Sequence, residues 1–127
     1  MSKVFYYKHN PVRIKVSCYQ SPPNLYVGLI CEGGAYDGEP FTCASANFDF
    51  AMPPYCTAIK NYSENAGMLP FLIDNGFGTL TGQEIESRYV TLPIFRFDRK
   101  KLRELDPDGC DLYEKTYVHQ IARVSEN

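Results

Sequence analysis

The sequence predicts an α+β fold, an antiparallel β-meander sheet packed by two to three α-helices, in a single globular domain of 127 residues. Three observations predict it. Short β-type runs divided by Pro, Gly and Ser clusters fill residues 1–61. The apolar spacing then turns helical, so that residues 62–124 read as helix, strand and helix. Finally, Asp98 and Asp106 stand where helix N-caps are needed, and Pro107 follows the second.

The strands come first. Residues 13–19 alternate, with Val12, Ile14, Val16 and Cys18 on one face and Arg13, Lys15, Ser17 and Tyr19 on the other, the pattern of a half-buried antiparallel strand. Residues 25–31 are apolar on both faces, which predicts a central strand covered on both sides. Residues 41–50 place Ala44, Ala46, Phe48 and Phe50 on one side, and 55–60 form another short strand, so the meander is expected to run from Val4 to Asn61. Ser21-Pro22-Pro23-Asn24, Glu32-Gly33-Gly34 and Met52-Pro53-Pro54 are its turns.

In residues 66–75, Met68, Leu69, Leu72 and Ile73 recur at helical spacing, and Asn75-Gly76 supplies a left-handed stop. Pro70 is compatible only with the first turn, so this helix begins no earlier than Gly67. Residues 88–97 form a strand that Pro93 interrupts, which predicts an edge position or a bulge. On its faces, Tyr89, Phe95 and Phe97 point one way and Arg96 the other. Asp98 opens a short helix carrying Leu102 and Leu105, and Asp106-Pro107 opens a last one with Tyr113, Tyr117 and Ile121 four residues apart.

Composition narrows the function. With 13 basic and 15 acidic side chains, the net charge of -2 gives no overall field for a phosphate backbone, and nucleic acid is not the expected partner. The cluster Arg96, Arg99, Lys100, Lys101 and Arg103 is balanced by Asp98, Glu104 and Asp106, as on a solvated helix face. No stretch reaches membrane-span length and the N-terminal apolar run is too short for a signal peptide, so the protein is expected in the cytoplasm, away from membranes. An odd number of cysteines, 5, fits reduced thiols there.

Cys18, Cys31, Cys43 and Cys56 are nearly evenly spaced, but they lack the close ligand pair of a structural zinc site, and no metal or cofactor is expected. Neither His9 nor His119 has a local motif that would pair it with a cysteine nucleophile. The glycines at 76 and 78 do not form a phosphate loop, since no strand leads directly into them. The remaining candidate is a binding face: Arg96, Lys100 and Lys101 as a positive rim beside an open strand edge, with Tyr113 and Tyr117 arriving from the last helix.

Asn75-Gly76-Phe77-Gly78, Thr81-Gly82, the segment from Tyr89 to Phe97 and Leu105-Asp106-Pro107-Asp108-Gly109, with Leu25-Tyr26-Val27-Gly28-Leu29 and Gly38-Glu39-Pro40-Phe41 upstream, resemble the domain-of-unknown-function 4313 family. The chain departs from the family pattern at Gln83 and at Lys60-Asn61. The resemblance implies a small protein of bacteria and their mobile elements. The expected function is therefore that of a non-enzymatic accessory factor that binds a partner protein, an anti-defence inhibitor being one form; the alternative is a small enzyme with a cryptic cysteine or carboxylate site.

Overall fold

The computed structural model describes residues 3–20, 22–87 and 89–125, without the side chains of Glu64 and of residues 120–125. The fold is α+β, with every strand pairing antiparallel. β1 (Phe5–Tyr7), β2 (Asn10–Cys18), β3 (Leu25–Cys31) and β4 (Pro40–Cys43) form a four-stranded meander in sequence order. A second four-stranded sheet follows, ordered β5-β6-β8-β7, from β5 (Ser45–Ala46), β6 (Cys56–Ile59), β7 (Gly78–Ser87) and β8 (Val90–Phe97).

The strand expected over residues 41–50 is divided between the two sheets, and Ala44 is the pivot. Its N–H donates to the Val27 carbonyl at 2.9 Å in the first sheet, and its carbonyl accepts from Lys60 N–H at 2.9 Å, beside the second. Beyond Ala46 the chain leaves the ladder. Asn24, itself buried, holds that loop by donating to Asn47 Oδ1 (3.0 Å) and the Phe50 carbonyl (2.9 Å) and accepting from Met52 N–H (2.8 Å). Phe48 and Met52 thereby cover the outer face of the second sheet with Ala46, Ala58 and Leu92. Ser21, expected in the turn before Asn24, lies outside the described residues.

The expected alternation in β2 holds: Val12, Ile14, Val16 and Cys18 are buried in the main core. β3 is central, between β2 and β4, and Tyr26 helps to cover its outer face. A Cβ on Gly28 would stand 2.7 Å from the Tyr26 hydroxyl, so the ring lies across that glycine.

α1 (Met68–Asp74) starts with Gly67 as N-cap and Pro70 in its first turn, where the missing N–H has no intrahelical partner to lose. Asn61 Oδ1 accepts from Leu69 N–H at 2.8 Å and so serves that helix start from outside the helix. The helix ends in a Schellman pair, Phe77 N–H to the Leu72 carbonyl and Gly76 N–H to the Ile73 carbonyl, with Gly76 at φ 74°.

β7 is a strand the sequence does not announce, and it changes the reading of β8. β8 lies between β6 and β7, so the edge expected at Pro93 belongs to β7 instead. The expected bulge is present. Register shifts between Leu80 and Glu84, opposite the segment containing Pro93, and the Thr81 hydroxyl donates to the Ile94 carbonyl at 3.0 Å. Pairing with β6 stops at Ile94, next to Pro93. Arg88 lies outside the described residues, and Tyr89, expected to share the core face of Phe95 and Phe97, sits at the hairpin tip 96% exposed.

α2 (Arg99–Leu105) and α3 (Pro107–Ser125) pack on β2. Asp98 caps α2, accepting from Lys100 N–H at 3.0 Å. Asp106 makes two separate bonds: Oδ1 accepts from Gly109 N–H (3.1 Å) as the α3 cap, and Oδ2 accepts from Val16 N–H (2.8 Å). Pairing with β1 runs only from Val12 to Asn10, so Val16 has no β1 partner and the carboxylate supplies one. The side chain of Ile121 lies outside the described residues.

Candidate functional site

The five residues expected to form one binding face are distributed over different environments. Arg96 is exposed on β8, opposite Cys56 and Thr79, and Lys100 is exposed in the first turn of α2. Lys101 is half-buried, its ammonium 5.7 Å from the ring centroids of both Phe5 and Phe77, a cation–π position. Tyr113 is 1% exposed, and its hydroxyl accepts from Tyr55 N–H at 3.0 Å. Tyr117 is half-buried and donates to the Met52 carbonyl at 3.0 Å. The open ladder beside Arg96 is replaced by the β7 pairing, and Tyr113 belongs to the core.

The neighbouring charges form a lock between helices. Arg99 donates to both Glu114 oxygens (2.8 and 3.0 Å), Arg103 donates to Asp111 (2.7 Å) and Glu114 (3.4 Å), and the Tyr55 hydroxyl donates to Glu114. Hydrogen bonding from Arg99 chiefly, aided by Tyr55 and opposed by burial, holds the Glu114 carboxyl below the usual carboxylate range. Burial pushes the Tyr55 hydroxyl far up, and the bond to Glu114 adds to it.

Another surface gathers what the expected face lacks. Between β3 and β4 the chain turns through residues 32–39, and Arg13 of β2 pins this loop by donating to the Cys31 carbonyl (3.2 Å), Glu32 (2.5 Å) and Asp37 (3.3 Å). Asp37 in turn accepts from Gly33 N–H at 2.7 Å, and this bond, more than Arg13, lowers its pKa against opposing desolvation. Gly33, Gly34 and Gly38 all have φ between 74° and 86°, conformations that let so tight a loop close.

The closed loop leaves a groove of about 420 Å³ whose walls include Pro11, Tyr36, Pro40 and Phe41. Tyr36 is 69% exposed and Phe41 40% exposed, while Phe41 is braced edge-on by Tyr7 with centroids 6.1 Å apart. Tyr6, 68% exposed, is paired with Pro11 and extends the apolar surface. Glu32 and Glu39 are the charged lining residues; Glu32 is taken by Arg13, and Glu39 has no ion-pair partner among the described residues.

The sequence does not announce this groove, because Glu32-Gly33-Gly34 reads there as a plain turn. The available signal is Tyr36, Pro40 and Phe41 standing close together in and after a glycine-rich segment.

The strand edges have local protection. Asn65, buried, donates to the Cys43 carbonyl at 2.9 Å on the β4 side, β1 and β5 have three and two residues, and β7 is bulged and carries exposed Glu84 and Glu86.

All five cysteines are free thiols. Burial pushes Cys18 up to about 11 and is the main cause raising Cys110, an environment that disfavours a nucleophilic thiolate. His9 is an exposed turn residue at φ 69° and His119 is exposed on α3. Among the described residues, no three of His, Cys, Asp and Glu converge as a metal-binding group. Asp98 and Asp106 are caps, as their sequence positions predict.

The family model described as a domain of unknown function, DUF4313, matches residues 13–117, most of the chain. The protein belongs to the DUF4313 family. No curated protein and no solved structure matches it. In this DUF4313 chain, most segments that carry the resemblance serve the architecture. Asn75-Gly76-Phe77 closes α1, while a Cβ on Gly78 would stand 2.0 Å from the Arg96 carbonyl oxygen. Leu105 to Gly109 joins α2 to α3 against β2. Gly38-Glu39-Pro40-Phe41, by contrast, contributes Glu39, Pro40 and Phe41 to the groove.

Proposed function

We propose that this DUF4313 protein is a non-enzymatic accessory factor of a bacterial mobile element, acting in the cytoplasm by occupying the surface of a partner protein. Inhibition of a host defence protein is the most specific form of that role. The setting rests on the family resemblance. The binding reading rests chiefly on the exposure of Tyr36 and Phe41 over a groove walled by Pro11 and Pro40. Exposed aromatic rings supply large contact area at little conformational-entropy cost, and solvated isolation gives no stabilising reason to hold several together. No described helix is long and apolar enough to cross a membrane.

The alternative, a small enzyme with a cryptic cysteine or carboxylate site, has less support. His9 and His119 are exposed, and neither sits in a local arrangement that would make it the base for a thiol. Six carboxylates are already engaged: Asp98 and Asp106 cap helices, Glu32 and Asp37 meet Arg13, and Asp111 and Glu114 meet α2 arginines.

The test is photo-crosslinking with a benzophenone amino acid placed at Tyr36 or, separately, at Arg96. A partner captured from the bacterial host at position 36, and lost when Phe41→Ser is added, supports the groove. Capture at position 96 that disappears with Lys100→Glu would instead favour the Arg96–Lys100 surface. Absence of specific capture at both positions would argue against a protein-binding role.

A further inference from the structure

We infer that the groove walled by Tyr36 and Phe41 binds a proline-rich segment in the polyproline II conformation, with a neighbouring arginine or lysine of that segment meeting Glu39. This deepens the partner-binding reading and rests on it, because the groove must be the surface that meets the partner.

The backbone around the groove works against a partner that adds a strand. Cys31 N–H donates to the Glu39 carbonyl (2.8 Å), Glu32 N–H to the Pro11 carbonyl (3.1 Å) and Glu39 N–H to the Tyr36 carbonyl (3.0 Å). Gly33 N–H is taken by Asp37 Oδ1 at 2.7 Å, and the two lining prolines, Pro11 and Pro40, have no N–H to give. A docking strand needs a run of unpaired donors and acceptors, and these residues offer it no such row.

The side chains suit a polyproline II segment instead. Tyr36, Phe41, Pro11 and Pro40 are all exposed, so the walls are rings and not flexible aliphatic chains. Their support is fixed, since Arg13 pins the loop and Tyr7 braces Phe41 edge-on, and little freedom is lost when a ligand docks. A proline-rich segment is equally stiff before it binds, and it packs well in aromatic-lined grooves. Its carbonyls have no internal donor, so the hydroxyl of an exposed tyrosine such as Tyr36 can serve one of them. A helix, by contrast, spends most of its carbonyls internally.

Charge supplies the second feature of the segment. The lining residues include two carboxylates, Glu32 and Glu39, and no Lys, Arg or His. Lys8, in the turn between β1 and β2, stands over the Tyr7 ring at 5.4 Å and is not part of the lining. Arg13 offsets Glu32, whereas Glu39 is exposed and in no ion pair among the described residues. A basic side chain beside the prolines completes a pair with Glu39, and an acidic one is repelled.

The test pans a display library of random dodecapeptides on the intact protein and keeps the sequences that fail to bind Phe41→Ser. Tyr36→Ser, which removes an exposed ring, is a second counter-selection that serves even if Phe41→Ser folds poorly. Sequences with repeated prolines and a nearby Arg or Lys are expected to dominate. For the most enriched peptide, replacing its prolines with alanine should weaken binding about 10-fold. Replacing its basic residue with glutamine should weaken it about 5-fold; Glu39→Gln should cost the same, and the two changes together should cost no more than either alone.

A retained set of proline-free sequences, whether alternating as strands or patterned as amphipathic helices, would overturn the polyproline assignment while leaving the groove as a partner surface. No peptide that depends on Phe41 or Tyr36 would overturn the inference altogether. Independent losses from Glu39→Gln and from the peptide change would overturn the charge pairing. The partner-binding reading fails separately, through absence of specific crosslinking at positions 36 and 96.

Discussion

The α2–α3 corner and the loop of residues 32–39 both rest on β2, and they use that strand in opposite ways. At the corner, α3 approaches the backbone so closely that a Cβ on Gly109 would stand 2.0 Å from the Val16 carbonyl oxygen. Val16 N–H is taken by Asp106, and Tyr55, Tyr113, Arg99, Arg103 and Glu114 join the helices to the start of β6. At the loop, Arg13 reaches outward to fix residues 31–37, and the aromatic rings that follow remain largely in solvent. The corner commits its polar groups and rings to packing, whereas the loop secures its backbone and leaves Tyr36 and Phe41 available for a partner.

The largest effect that would break this contrast is expected from Gly109→Ala. The new methyl collides with β2 backbone, not with a side chain able to rotate away, so a loss of at least about 3 kcal/mol in urea unfolding is expected. A loss below about 1 kcal/mol would mean that α3 stands farther from β2.

Asp106→Ala comes next, at about 2–4 kcal/mol, because it removes the helix cap and also leaves Val16 N–H without its acceptor. Asp106→Asn is expected to lose less, since an amide oxygen can still serve one donor. Equal losses for the two variants would assign the effect to charge instead of capping geometry.

Glu114 sharpens the corner's side of the comparison through pH. Its folded pKa lies below the ordinary 4.5, so its ion-pair contribution is fully present above that value and is lost as pH falls through the folded pKa. The stability difference between the protein and Glu114→Gln should therefore be flat above about pH 5 and shrink toward about pH 3. Urea melts across that range check it, and a difference that does not change with pH would remove the charged form from the lock.

The smallest stability effect is expected at the loop. Tyr36→Ser should change unfolding free energy by no more than about 0.5 kcal/mol, and Phe41→Ser, which also loses the contact with Tyr7, by about 1 kcal/mol. Thermal melts would measure both. A large loss at Tyr36 would show that its ring supports the fold, and the distinction between packed corner and available loop would fail.

Local chemistry is legible in the sequence. Alternation in β2, the apolar faces of β3, Pro70 in the first helical turn, the Gly76 stop and the Asp98 and Asp106 caps depend on neighbours within a few residues, and each is found in the fold. Pro93 signals a bulge for the same reason, because a missing N–H constrains its own ladder.

Tertiary structure alone decides which strands share a sheet. Ala44 joins the first sheet through Val27 and reaches Lys60 across the chain, and no spacing within residues 41–50 encodes those partners. The same holds for the candidate sites. The sequence puts Arg96 beside an open edge because the pairing of β7, with its exposed face and its Thr81-Gly82 interruption, is not visible from β8. Tyr36 and Phe41 join Pro11 around one groove only after distant segments are brought together. Composition and periodicity specify what each segment prefers; the contacts that make a groove depend on which preferences the fold places side by side.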